Sequence, residues 1–173
     1  MNFINNVINQ KIICNETPLC IHYRHDGTNN ELDMISNITS TLYDKNNGRI
    51  AICSEFQNSF FSTQLCKCIK SKNTNFNISK DAIFCNLNNS YSFRGQSFIN
   101  IIIHCQAKSL VNTSSHIVDN IFKNIIPLTV RQNNKPIFLI EYDIDCEDYF
   151  SINQFNDEIK TLLGNFQQQI YIY

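Results

Sequence analysis

The stretch SFINIIIHCQA, residues 97–107, is the part of the sequence that decides the fold. Its centre is a run of large apolar side chains, and polar residues stand at both ends. A run of this length without polar alternation is typical of a strand that is buried on both faces of a sheet. We therefore expect a central strand here, in which His104 and Cys105 fill the sheet.

The segment that follows this strand has helical periodicity over residues 114–126. Its apolar side chains recur at the spacing of one helix stripe: Ile117, Val118, Ile121, Phe122, Ile125 and Ile126. Thr113 or Ser114 can cap the start, and Pro127 is expected to end the helix. The pattern then predicts a strand over 137–146, a helix over 152–166 and a short final strand at 171–173.

A hairpin is predicted upstream of these elements. Residues 35–43 and 49–55 have strand-like composition, and the turn sequence DKNNG separates them at 44–48. Asn-Gly is a strong local signal for a tight turn between antiparallel strands. In the second strand, Ile50, Ile52 and Ser54 share one face, and Ala51 and Cys53 share the other.

These elements predict an α+β fold, a two-layer α/β sandwich with a mixed sheet in the order β-β-β-α-β-α. The 173 residues form one domain, with an N-terminal extension at 1–18. Residues 56–96 are expected to be a variable insertion or loop-rich region. Its lysines, Lys67, Lys70, Lys72 and Lys80, favour a solvated segment.

Composition excludes several classes of protein. Fourteen Lys and Arg against 15 Asp and Glu give a net charge of −1, which disfavours a free-standing basic nucleic-acid binder. No apolar run is long enough to span a membrane, and the first residues lack the pattern of a secretory signal. Eight cysteines are then expected to be buried, reduced side chains. A zinc site at Cys66 and Cys68 has the wrong spacing.

Two groups of residues suggest chemistry. His104-Cys105 at a strand end is typical of a cysteine phosphatase, but residues 106–111 lack the glycines and the arginine of a phosphate loop. The second group is acidic: Glu141, Asp143, Asp145, Glu147 and Asp148. Three readings of this acidic group stay open: a magnesium site, a charged edge strand, or a contact with a basic partner.

The stretches YRHDGT at 23–28, ELD at 31–33 and TLYDKNNGRIAIC at 41–53 resemble the opening of the ribonuclease PH family. The later order of strand 98–105, helix 114–126, Lys135-Pro136 and a strand ending at Glu147-Asp148 is also similar. The resemblance implies a sheet with an unusual left-handed crossover, against the general preference for right-handed ones. Thr28 replaces an arginine of the family, and no Gly-Gly-Thr-Arg loop follows Asp148.

Phosphorolysis needs cations and backbone donors around inorganic phosphate, and the resembling segments lack them. The resemblance therefore implies a subunit of the RNA exosome ring that is not an enzyme, without cofactor or metal, in the nucleus and cytoplasm. Its expected partners are other ring subunits, cap proteins and RNA held by the assembled complex, with no membrane. The alternative is a free-standing α/β protein-interaction module, such as an assembly chaperone or a viral host-factor binder.

Two sets of residues carry specific roles in this prediction. Arg94, Lys108 and Arg131 are the candidate RNA contacts, placed in loops or at strand ends. Arg24, Asp26 and Gly27 are expected to form a structural turn that leads into the first predicted strand.

Overall fold

The computed structural model describes residues 18–24, 48–55, 60–88, 97–98, 100–111, 116–134, 136–142 and 153–171. The strands are β1 (Leu19–Arg24), β2 (Ile50–Ser54), β3 (Ala82–Asn86), β4 (Asn100–Gln106), β5 (Ile137–Tyr142) and β6 (Gln167–Tyr171). The helices are α1 (Phe60–Lys72), α2 (Ile78–Asp81), α3 (Ala107–Val111), α4 (His116–Asn120), α5 (Ile126–Arg131) and α6 (Asn153–Leu163). A π-helical segment, Ile121–Ile125, joins α4 to α5.

The six described strands form one sheet in the order β3-β2-β4-β5-β1-β6. Each of the five pairings among them is parallel. The expected combination of a sheet with helices is confirmed. The expected mixed sheet is wrong for this part of the chain, because no described pairing is antiparallel.

Helices cover both faces of the sheet, so the predicted two-layer arrangement is also wrong. On one face, here called the α1 face, Leu65, Cys66 and Ile69 of α1 join one apolar cluster with strand residues such as Ile52 and Leu139. On the other, the α4 face, α3 to α6 pack against a second cluster. Parallel strands require crossover connections, and these connections place helices on the faces of the sheet.

The predicted hairpin is wrong for β2, the one of its two strands that the structure describes. β2 forms at Ile50–Ser54 as expected, with the expected alternation of faces. Its two edges, however, are taken by β3 and β4, both parallel to it. An antiparallel partner therefore has no free edge on β2. The other predicted strand, 35–43, lies outside the described residues.

In the described part of the region 56–96, residues 60–88, the structure differs from the loop-rich insertion that the lysines suggested. This part contains α1, α2 and β3. Leu65, Cys66 and Ile69 are buried at the i, i+1, i+4 spacing of a helix stripe, while Lys67 and Lys70 are exposed. The basic residues thus mark the solvent side of an amphipathic helix.

The helical segment predicted to end at Pro127 continues to Arg131. Proline cannot donate to a carbonyl of the preceding turn, and its ring crowds the carbonyl four residues back. The wider π-helical segment at Ile121–Ile125 directly precedes this position, and Pro127 then lies in the first turn of α5. In that segment the hydrogen bonds reach one residue further back, as from the Ile126 N–H to the Ile121 carbonyl, and the wider turn accommodates the ring of Pro127.

The remaining expectations have mixed outcomes. β4, β5 and α6 lie within their predicted segments, and the last strand begins earlier, at Gln167. β1 is a central strand that the sequence analysis left out. None of the described helices is both long and apolar enough to span a membrane.

Candidate ligand site at the carboxyl edge of the sheet

The chain leaves β2 and β4, which are neighbours in the sheet, toward opposite faces. β2 is followed by α1 on the α1 face, whereas β4 is followed by α3 on the α4 face. In open parallel sheets, this divergence creates a crevice beyond the carboxyl ends of the two strands, and ligands bind there. At this edge lie Ser54, the last residue of β2, and Glu55, together with Gln106, the last residue of β4, and the residues that follow it to Ser109.

Glu55 connects the two sides of this crevice. Its carboxylate accepts hydrogen bonds from the backbone N–H of Gln106 and, at 2.7 Å, from the hydroxyl of Ser109. Its backbone carbonyl accepts one from the Asn88 side chain at 3.0 Å. Glu55, Gln106 and Ser109 are each only partly buried, and Asn88 is exposed. The carboxylate is therefore held in place at a position that borders solvent.

Beneath this rim lies a buried polar network centred on His104. The Nδ1 atom of His104 lies 3.2 Å from the Ser54 hydroxyl. Its Nε2 atom lies 2.8 Å from the Tyr23 hydroxyl and 3.1 Å from Oε2 of Glu141. Tyr23 also donates to the same Glu141 oxygen at 3.4 Å. All four residues are buried, so the network links β1, β2, β4 and β5 inside the protein.

One arrangement of protons satisfies all of these contacts. Tyr23 donates to the Glu141 carboxylate, which has no proton to give when ionised. The Nε2–H of His104 then points at Glu141 and Tyr23, and Nδ1 accepts the Ser54 proton. Burial of a polar group is tolerated when it is hydrogen-bonded, and this network meets that condition.

The pairing of Ser54 with His104 and Glu141 has the residue types of a nucleophile, a base and an orienting carboxylate. Acyl transfer also needs free N–H donors for the oxyanion. The Glu55 N–H, adjacent to Ser54, donates to the His104 carbonyl at 3.3 Å, and the Gln106 N–H donates to Glu55. With these donors engaged, the geometry favours a supporting role for the network over a nucleophilic one.

Cys105 does not offer an alternative nucleophile. Burial raises the pKa of its thiol well above the ordinary value, and the carboxylates of Glu55 and Glu141 and the nearby Cys20 raise it further. A thiol in this state is not a reactive thiolate. The expectation that His104 and Cys105 fill the sheet is confirmed, since both are about 1% exposed or less.

The other cysteines of the described ranges behave as small apolar side chains. Cys20, Cys53, Cys66 and Cys85 are buried, as expected, and Cys68 is half-buried. Burial raises the pKa of the Cys66 thiol to about 12. In these ranges, no three His, Cys, Asp or Glu side chains are grouped so that they could hold a metal ion. Cys14 and Cys146 lie outside them.

The structure does not bring the predicted RNA contacts together. Lys108 lies in α3 directly after β4, beside the crevice, and its side chain is exposed. Arg131 ends α5 before β5, at the opposite end of the parallel sheet. The 7 residues of β4 alone separate these ends by about 20 Å. Arg94 lies outside the described residues.

The structure describes one residue of the predicted turn, Arg24, and one of the acidic group, Glu141. Arg24 is the last residue of β1, in register with Tyr142, so it lies in a strand and not in the predicted turn. Asp26 and Gly27 lie outside the described residues, as do Asp143, Asp145, Glu147 and Asp148. Glu141 is buried in β5, which pairs with β4 and β1. The edge-strand reading is therefore wrong, because β5 is central.

Sequence reasoning missed Tyr23, Ser54 and Glu55 as members of a site. The available signal was topological: polar residues directly after two apolar strands meet at one edge only if the strands are parallel. The predicted hairpin implied an antiparallel sheet, in which these strand ends would not meet.

The described part of the chain is a parallel α/β fold with a cluster of hydrogen-bonded polar residues at the carboxyl edge of its central strands. A scan against models of known protein families found no match, and a search of curated proteins also found none.

Proposed function

We propose that this protein binds a small polar ligand in the crevice between the carboxyl ends of β2 and β4. The observation that carries the proposal is the position of Glu55, a carboxylate fixed by Gln106 and Ser109 where the chain diverges to opposite faces. A carboxylate has about four acceptor sites, so two hydrogen bonds leave capacity for a ligand. The ligand class is one that presents hydroxyl or amine donors.

The His104 network supports this site without touching the ligand. It joins the ends of four strands through side chains, and Ser54 is adjacent to Glu55. Binding groups held by such a supporting layer lose little conformational freedom when a ligand arrives. His104, Tyr23 and Glu141 are positioning residues in this proposal.

Thermal unfolding of the full chain tests the proposal with spermidine, L-arginine, adenosine and glucose as probes. A ligand that binds only the folded state raises its stability in proportion to the logarithm of ligand concentration. We expect at least one probe to raise the melting temperature of the wild type. Glu55→Gln should lose that shift, because it replaces one acceptor oxygen by a donor.

Glu158→Gln is the matched control, since Glu158 is an exposed carboxylate on α6. It should keep the full shift. Shifts of equal size in the wild type, Glu55→Gln and Glu158→Gln would place binding elsewhere. The absence of any shift with all four probes would count against a site for donors of this kind.

A second proposal retains the expected non-catalytic subunit of the RNA exosome ring. Its support is the order of β4, the helices after it, β5 and α6, which follows the order implied by the resemblance to the ribonuclease PH family. The parallel pairing of β2 removes the support of the predicted hairpin. Copurification from the native source decides between the two: recovery of ring or cap subunits favours the exosome, and a lone chain opposes it.

A further inference from the structure

The outer strand β3 has the composition of a strand that pairs with another chain. Among the described strands, β3 pairs with β2 alone and ends the sheet. Proteins usually protect such an edge with charged side chains or proline. Residues 82–88, AIFCNLN, contain neither. At the middle position of the strand, Phe84 is 41% exposed, although the neighbouring Ile83 and Cys85 are buried.

We infer that β3 pairs antiparallel with β3 of a second copy of this chain, about a two-fold axis at Phe84. In an antiparallel ladder centred there, Ala82 lies opposite Asn86 of the other copy, and Ile83 lies opposite Cys85. Phe84 then faces the same residue of its partner on the same side of the sheet. Directly opposite aromatic side chains pack at Cβ separations of about 5 Å and stabilise the pair.

Self-pairing fits this strand better than an unrelated peptide does, for two reasons. The exposed aromatic residue occupies the centre of a 5-residue strand, so antiparallel pairing about a two-fold axis there keeps all five residues paired and places the two rings directly opposite each other. The charges are also compatible, because residues 82–88 carry no charged side chain, and the exposed Lys80 would lie toward the neutral Asn88 of the second copy. The row of Ile83 and Cys85 continues the apolar layer of the α4 face across the axis.

The contact is small, because it consists of one short strand and one aromatic pair. Stable interfaces bury roughly 1,200 Å² or more, and a single short strand pair buries less. We therefore expect a reversible dimer whose population rises with concentration. This inference does not depend on the ligand site, which lies between β2 and β4.

Analytical ultracentrifugation of the full chain from about 10 to 500 µM tests the inference, since this range spans weak association. The wild type should shift from monomer toward dimer. Phe84→Lys should weaken association at least about tenfold, because two ammonium groups would face each other. Leu162→Lys is the control: Leu162 is 49% exposed on α6, and the same change there should leave association intact.

A cross-linking experiment keeps the inference testable if Phe84→Lys unfolds. Phe84→Cys treated with a short bis-maleimide should give a covalent dimer linked through position 84. Ser79→Cys, at an exposed position of α2, should give far less. A wild type that stays monomeric throughout, or equal cross-linking at positions 79 and 84, overturns the proposed pairing.

Discussion

Two buried histidines on opposite faces of the sheet have different surroundings. His104, on the α1 face, bonds to Ser54, Tyr23 and the carboxylate of Glu141. His22, on the other face of β1, lies 3.1 Å from the Tyr142 hydroxyl and 3.3 Å from the Cys20 thiol. Both residues are 1% exposed. The difference between them is therefore one of partners and not of burial.

This difference shows what a partner contributes when burial is equal. The hydroxyl and thiol beside His22 carry no charge, and burial lowers the pKa of His22 from its usual 6.5 to about 4. His22 is thus a neutral ring in the core. His104 instead lies 3.1 Å from a carboxylate that is itself buried, so the two groups depend on each other. We therefore expect substitutions in the His104 network to lower the free energy of unfolding by more than a substitution of His22 does.

The largest expected effect comes from replacing each histidine with leucine. His104→Leu removes the N–H donor of the buried Glu141 carboxylate and the acceptor of the Ser54 hydroxyl. Each such loss at a buried group costs about 1–3 kcal/mol, and more for a charged one, so we expect a combined loss of about 3–5 kcal/mol. His22→Leu removes only hydrogen bonds between neutral groups and adds apolar volume, so we expect a loss of about 1 kcal/mol. Urea unfolding at pH 7 measures both.

His116→Leu serves as the control for the loss of a histidine as such. His116 is exposed on α4, and exposed substitutions of this kind usually change stability by less than about 0.5 kcal/mol. Equal losses for His104→Leu and His22→Leu would mean that the Glu141 carboxylate adds nothing to the contribution of His104 to stability.

The next effect is a pH dependence of stability that comes from His22. Its folded pKa, about 4, lies below the unfolded value of 6.5. The unfolded chain therefore binds a proton first as the pH falls, and stability is lost between about pH 6.5 and 4. A separation of this size corresponds to about 3 kcal/mol at full extent. Above about pH 7 the contribution is fully present.

Comparing the wild type with His22→Leu isolates this contribution. The variant should be less stable by about 1 kcal/mol at pH 7 and more stable than the wild type near pH 4, because it has no proton to gain on unfolding. Urea unfolding across this range provides the measurement. A constant difference between the two proteins at every pH would contradict a neutral, desolvated His22.

The elements of this fold that the sequence predicts are set by local patterns, whereas the contacts of His104 are long-range. The apolar run around Ile102 and the stripe at Ile117–Ile126 fix a buried strand and the helices after it, since each pattern is local. The partners of His104 are not local: Ser54, Tyr23 and Glu141 lie 50, 81 and 37 residues away along the chain. Nothing in a short window of sequence reports such contacts.

The errors share one physical origin. Asn47-Gly48 favours a tight turn locally, but the pairing of β2 is decided by which apolar strands can be buried on both sides of it. Likewise, the lysines of α1 suggested a solvated loop, but they form the exposed side of a helix whose other side buries Leu65 and Ile69. Long-range burial therefore outweighs local turn and charge signals in this chain.

The smallest expected effect is the difference in stability lost when the hydroxyl of Tyr23 or of Tyr142 is removed. Tyr23 bonds to His104 and to the Glu141 carboxylate, whereas Tyr142 bonds to His22. Bonds to charged groups are worth about 1.5–3 kcal/mol and neutral ones about 0.5–1.5, so Tyr23→Phe should cost about 2 and Tyr142→Phe about 1 kcal/mol. Both changes keep the ring and its packing, and urea unfolding gives the difference.

Combining each tyrosine variant with Glu141→Gln separates the hydroxyls further. Residues of one hydrogen-bond network show coupling energies of about 0.5 kcal/mol or more, whereas side chains that share no partner are closer to additive, even where, as for Glu141 and Tyr142, they are consecutive and point to opposite faces. Tyr23→Phe and Glu141→Gln should therefore be coupled, because their side chains are in contact on the α1 face. Tyr142→Phe lies on the α4 face beside His22 and should be additive with Glu141→Gln. Coupling of equal size in both pairs would mean that the two faces form a single network, and the contrast between the histidines would then fail.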